Sequence, residues 1–215
     1  MTQTPLAPAA SAGDARQAWA AVSRECGRQY ATATLENFVL HGTEAEQATQ
    51  RNCLLGIREV CDSFPQSIQN GRNVVLLGPC GTGKDHLMIG MIREAIKAGC
   101  CDIGWVDAAE MFGTLKDALA AGQLVGDHLQ AWIRPQLLVI SDLIPGGEAL
   151  TPFETDILFR LLNARGRRLK ATWVNANVLD REEAAAKMSA KCLSRLGFHA
   201  FVARTTWSDY RAKAN

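Results

Sequence analysis

The sequence predicts an α/β fold: a doubly wound, mostly parallel five-stranded sheet flanked by helices. Three observations carry this reading. Five apolar runs have strand length: NVVLL (73–77), DIGWVD (102–107), QLLVIS (136–141), ATWVNAN (171–177) and HAFVART (199–205). Stretches of helical length separate them, as parallel crossovers require. A glycine-rich loop follows the first run directly and opens a helix, the place where open α/β sheets bind ligands.

Taken in order, residues 1–14 are rich in Ala, Pro, Thr and Ser and are expected to be disordered. A short helix is expected from Asp14 to Arg28, on Ala18, Trp19 and Val22. ATATLENFVLHG (31–42) reads as an extended lead-in anchored by Leu35, Phe38 and Val39. Residues 44–63 place Ala48, Cys53 or Leu54, Ile57 and Cys61 on one helical face. After the first strand, HLMIGMIREAIKAG buries Leu87, Met91, Ile92 and Ala95 and stops at Gly99. AAEMFGTLKDALAAG is a second crossover helix. TPFETDILFRLLNAR begins with a capping box, Thr151 to Glu154, with Pro152 in the first turn. Asp180 and Glu183 open a further helix by the same logic, and WSDYRAKAN reads as a polar tail. Residues 1–30 are thus a short N-terminal extension and 31–215 one domain.

Composition excludes several classes. With 47% hydrophobic and 21% charged residues the chain is neither disordered nor fibrous. No apolar run approaches the ~20 residues of a membrane span, and the N-terminus lacks the pattern of an export signal, so a cytoplasmic protein with no membrane partner is expected. The seven cysteines include no C-x-x-C pair, which argues for reduced thiols. Charge is uneven. Residues 1–159 hold 11 basic and 18 acidic side chains, residues 160–215 hold 12 and 4. That asymmetry fits either a polyanionic partner or two solvated faces.

GPCGTGKDHL (78–87) has the form of a phosphate-binding loop. Gly78, Gly81 and Gly83 let the backbone close on a β-phosphate, the helix N-terminus adds positive potential, and Lys84 reaches the β- and γ-phosphates. Gly78, Pro79, Cys80, Gly81, Thr82, Gly83, Lys84, Asp85 and His86 are the candidate nucleotide-binding residues. Asp85 stands where a hydroxyl usually binds Mg²⁺. A carboxylate either binds the ion in its place, near the phosphates, or points away and caps the helix. The partner strand should end in an acid that holds Mg²⁺, followed by a second that activates water. Here QLLVISD offers Ser141 and then Asp142. Asp85, Ser141 and Asp142 are the candidate metal residues, with Asp85 and Ser141 in exchanged roles as one hypothesis. Asp142 is also a candidate to polarise the attacking water.

In order along the chain, TLENF (34–38), GPCGTGKDHL, LLVISDL, NAN (175–177), CLSRLG (192–197) and WSDYR (207–211) resemble the DnaC/IstB-like branch of the AAA+ ATPases. The likeness covers about residues 31–211. It is nearer to bacterial DnaC-type replicative helicase loaders, in which a non-hydroxyl residue followed by HL also occurs after the lysine. The resemblance implies a P-loop NTPase of AAA+ type using ATP and Mg²⁺. It gives Asn177 the role of the sensor asparagine and Arg195 that of a sensor-type arginine, and puts Lys191 where an arginine finger reaches a neighbouring subunit, implying self-association. Lysine lacks the planar fork of arginine. The resemblance also implies single-stranded DNA as a partner, through the segment after the second strand. There Phe112 would stack on a base and Lys116 meet a phosphate. Arg165, Arg167 and Arg168, in the basic run before the fourth strand, are further phosphate candidates. A replicative helicase, or another replication protein, is the implied protein partner. Asp85, Ser141 and Lys191 together predict weak hydrolysis. Two alternatives stay open: a nucleotide-gated module that binds without turnover, and an IstB-like transposition helper ATPase.

Overall fold

The computed structural model describes residues 11–213. Of the stretch expected to be disordered, residues 1–10 lie outside this range, while Ser11 and Asp14 form the capping box of α1 (Ala12–Glu25). The lead-in at 31–42 follows; Leu35 is buried, whereas Val39, expected as an anchor, is 58% exposed. Then come α2 (Glu44–Asp62), capped by Thr43 and Glu46, and a single turn, α3 (Gln66–Gln69).

The core alternates as predicted: β1 (Val74–Leu77), α4 (Lys84–Lys97), β2 (Ile103–Asp107), α5 (Ala108–Ala120), α6 (Val125–Ile133), β3 (Leu137–Ser141), α7 (Pro152–Gly166), β4 (Ala171–Ala176), α8 (Arg181–Met188), α9 (Ala190–Gly197) and β5 (Phe201–Arg204). The five strands pair in the order β2-β3-β4-β1-β5, every pair parallel. β1 is buried along its whole length, which explains its unbroken apolar sequence. Val74 and Leu76 pack with Leu87, Met91 and Ile92 of α4 on one face. Val75 and Leu77 pack with Phe112, Leu158 and Leu161 of α5 and α7 on the other.

Three local differences from the sequence reading have physical causes. α6 has no side-chain cap, its N-cap being Leu124, so nothing in the sequence marked its start. Asp180 caps α8 through the Glu183 N–H, but the Glu183 carboxylate accepts from Leu179 N–H instead of closing the box. Ser189, at φ 73°, ends α8 and begins α9, breaking the helical run into two.

Register places the site. Leu77 lies beside Ala176 and Asp107 beside Ser141, so β1, β2, β3 and β4 end together around the glycine-rich loop. No helix among the described residues is long and apolar enough to cross a membrane.

Candidate functional site

The loop leaves β1 and turns into α4 through Gly81 (φ 76°) and Gly83 (φ 84°), left-handed conformations that glycine adopts without strain. Gly83 is the N-cap of α4 and supplies no side chain, so the first N–H groups of the helix are left facing a cleft of about 830 Å³. Lys84 is 6% exposed. Its ammonium donates to the carbonyls of Gly78 (2.8 Å) and Pro79 (2.7 Å) in its own loop. Burial lowers its pKa, while Cys80, Asp85 and Asp142 act in the opposite sense. Cys80 is exposed at the rim, and the His86 ring pairs with the Thr34 carbonyl at 2.8 Å.

Asp85 points into the site and does not cap α4. Its Oδ1 accepts from Ser141 Oγ at 2.8 Å and from Asn175 Nδ2 at 2.7 Å, and its Oδ2 accepts from Tyr30 Oη at 3.3 Å. The helix thus offers a carboxylate and the strand end a hydroxyl, the reverse of the usual order. Asp142, next along, is held at φ 48° because its N–H donates to Asn175 Oδ1 at 2.8 Å. Its Oδ1 accepts from Asn177 Nδ2 at 2.6 Å. Burial raises the Asp142 pKa, Asp107 and Asp85 raise it further, and Lys84 opposes them. Asn175, buried in β4, therefore holds the Asp85 carboxylate and the Asp142 backbone at once. The period-two alternation of β4 carried that signal, since it puts Asn175 and Asn177 on the same face.

Segments remote in sequence complete the walls. Cys26 and Tyr30, just past α1, line the cleft together with Phe38 of the lead-in. The C-terminal segment predicted as a polar tail is a strap across the loop. Trp207 is 2% exposed and its Nε1 donates to the Thr82 carbonyl at 2.8 Å. Tyr210 N–H donates to the Gly81 carbonyl at 3.0 Å, and the Thr82 and Thr205 hydroxyls share a hydrogen bond of 2.7 Å. A Cβ on Gly81 would lie 1.8 Å from the Asp209 carboxylate, so the strap also explains why that position is glycine. Ser208 N–H is held by Glu46, whose pKa is lowered to about 2 by the backbone hydrogen bonds from Thr43 and Ser208. Arg211 lies at the cleft rim.

The remaining candidates stand elsewhere. Lys191 and Arg195 lie on α9 beside Phe159, at 4.9 and 6.0 Å from its ring centroid, and do not line the cleft. Phe112 is 1% exposed in the core between sheet and helices, which leaves no ring face for a base. Lys116 pairs with Glu154 at 2.7 Å, bracing the capping box of α7. Arg165 is fully buried, and a side chain so placed reaches no phosphate. Its Nε donates to Thr172 Oγ1 at 2.9 Å and its Nη1 to the carbonyls of Trp132 (2.8 Å) and Pro135 (2.9 Å). Arg167 and Arg168 are exposed just after α7.

The solved structures that resemble this fold include the DnaC helicase loader (TM-score 0.69, 19% identity, 83% of this chain and 99% of that one). DnaI follows at TM-score 0.65 and 18% identity over 85% and 93% of the two chains. The replication initiator DnaA bound to AMPPCP and single-stranded DNA gives 0.62 and 18%, over 83% of this chain and 50% of that one. At these identities the likeness establishes the fold alone, the one these replication proteins share. No curated protein matches the chain. The family model described as IstB-like ATP binding protein matches residues 33–215, from the lead-in through the strap. The chain belongs to the IstB-like ATP-binding family.

Proposed function

We propose that the protein is an ATP-dependent switch of DNA replication, of the DnaC loader kind, that engages single-stranded DNA and a replicative helicase and hydrolyses ATP slowly. The observation that carries this reading is the exchanged pair: Asp85 on the helix and Ser141 on the strand, 2.8 Å apart, beside an intact loop and Lys84. Lys84 exchanges its two loop carbonyls for phosphate oxygens, and the α4 N-terminus accepts the negative charge.

Mg²⁺ takes oxygen ligands, keeps several waters and is bound through one or two carboxylates plus phosphate oxygens. Asp85 and Ser141 supply a carboxylate and a hydroxyl, a donor set that fits it. No cluster of three or more His, Cys, Asp or Glu able to hold a metal occurs among the described residues, so the ion would bind together with the nucleotide. When bound, it neutralises charge on the phosphates. Asp142 takes the proton of the attacking water, and Asn177 orients its carboxylate. The exchange slows turnover because Asp85, fixed by three donors, keeps its negative charge on the helix next to the phosphates.

The test restores the ordinary order. Asp85→Thr combined with Ser141→Asp should raise steady-state ATPase activity at least severalfold over the natural chain while ATP affinity is kept. No increase in a folded, ATP-binding double variant counts against the reading. Asp142 sets a second expectation. A general base works only when deprotonated, and its raised pKa places the acid limb of turnover above the ordinary carboxylate value of 3.8. Single-turnover rates across pH check this. A profile flat through that range removes Asp142 from the role.

A further inference from the structure

The opposite end of the sheet, where the strands begin, gathers cations that the nucleotide cleft does not use. The turns before β1, β3 and β4 are tied together by Gln136, whose Nε2 donates to the carbonyls of Ile68 (3.0 Å) and Leu169 (3.1 Å). The backbones of Gly71 and Leu169 touch so closely that a Cβ on Gly71 would lie 2.8 Å from the Leu169 carbonyl carbon. Arg72, Arg134, Arg167 and Arg168 sit on these three turns. Adjacent strands are about 4.8 Å apart, so the row spans roughly 10 Å at backbone level.

Cations near helix C-termini often answer only the helix dipole, and Arg134 and Arg167 are C-cap residues. At the α6 end that need is already met, and at the α7 end Arg168 spends one donor on it, Nη1 to the Ala164 carbonyl at 3.3 Å. Arg165 takes the carbonyls of Trp132, Ile133 and Pro135, and Lys170 takes that of Arg134. Arg134, Arg167 and Arg168 are exposed and Arg72 is half-buried, and none of the four is in an ion pair among the described residues. The nearby acid, Asp102, is engaged with Gln136 N–H at 2.9 Å. Burial lowers the Lys170 pKa, Asp102 opposes this, and Arg165 and Arg168 lower it further, so the cations crowd one another. Between Arg168 and Lys170 stands Leu169, left-handed at φ 51° and 61% exposed.

We propose that this strand-entry end, through Arg72, Arg134, Arg167 and Arg168, binds the phosphate backbone of single-stranded DNA on the side of the sheet away from ATP. A row of guanidiniums with no carboxylate partner suits regularly spaced phosphates. One exposed leucine offers little area to a lipid surface. The inference rests on the nucleic-acid half of the proposed function.

Fluorescence anisotropy with labelled oligodeoxythymidylate, over a salt series, tests it on the full chain. Arg134→Gln/Arg167→Gln/Arg168→Gln should bind at least about tenfold more weakly at low salt. Its log–log salt slope should be shallower by about 2, at about 0.7 for each phosphate left unneutralised. ATP affinity should stay unchanged, since the cleft is at the other end. A control that neutralises exposed Arg16, Arg51 and Arg181 should leave both affinity and slope near those of the natural chain. If the natural chain binds DNA and the first variant binds equally well, this surface is wrong while the loader reading stands. Equal losses in both variants overturn the surface as a mere net-charge effect. No binding by the natural chain overturns both proposals. Binding to phosphatidylserine vesicles without binding to DNA overturns the surface in favour of a membrane.

Discussion

Lys84 and Arg165 are both buried cations, and both stand in sequences that suggest phosphate binding. Lys84 donates to two carbonyls of its own loop, five and six residues away, at the wall of an open cleft. Arg165 donates to carbonyls of the α6 end and the β3 lead-in and to a β4 side chain, and it does not line that cleft. The difference lies in whether the partners can be exchanged. Loop carbonyls yield to a stronger acceptor, whereas carbonyls sealed inside the fold have no alternative donor. A buried cation with replaceable partners serves a ligand; one with irreplaceable partners holds the fold.

Removing Arg165 should therefore have the largest effect of any single substitution at these sites. Arg165→Met leaves several buried carbonyls and the Thr172 hydroxyl without donors, each costing about 1–3 kcal/mol, partly offset by the relief of burying a charge. A net loss of about 3 kcal/mol in urea unfolding is expected, and Arg165→Lys should recover only part of it because lysine lacks the fork. A loss below about 1 kcal/mol would show that the carbonyls find other donors and would dissolve the contrast.

Lys84→Ala should show the converse. ATP affinity falls at least about tenfold, or 1.4 kcal/mol, while unfolding free energy changes by less than about 1 kcal/mol. Calorimetric titration paired with urea melts separates the two quantities. An unfolding loss as large as that of Arg165→Met would make Lys84 structural as well.

Much of this was legible in sequence. The five strands, the loop, the crossover helices and the capping box at Thr151 follow from local pattern, and the fold realises them. Two misplacements also had a readable signal. Phe112 continues Ala108, Met111 and Leu115 on one helical face, and Arg165 continues Leu158, Leu161 and Leu162, so each sits where the core face lies. A chemical expectation for Phe and Arg outweighed the period. Other features are non-local. That Asn175 would hold Asp85, 90 residues away, depends on strand order. That the terminal residues would lie on the loop depends on the last strand lying beside the first.

The strap is where the contrast between exchangeable and fixed partners becomes finest, because it holds the loop and not the ligand. Trp207→Phe keeps most of the buried ring and removes the one N–H that reaches the Thr82 carbonyl. A lost hydrogen bond of this kind is worth about 1 kcal/mol, or a melting temperature lower by about 2–4 °C in a domain of this size. If the strap only covers the core, the effect ends there. If it holds the loop in its binding shape, part of that energy also reappears in ATP binding, a loss of up to about fivefold. The Tyr210 N–H bond to Gly81 and the Thr82–Thr205 bond stay in place, which keeps the expected loss below that of Lys84→Ala. Thermal melts with and without ATP decide between them: a smaller ATP-induced shift in Trp207→Phe than in the natural chain assigns the strap to the site, and an equal shift assigns it to stability alone.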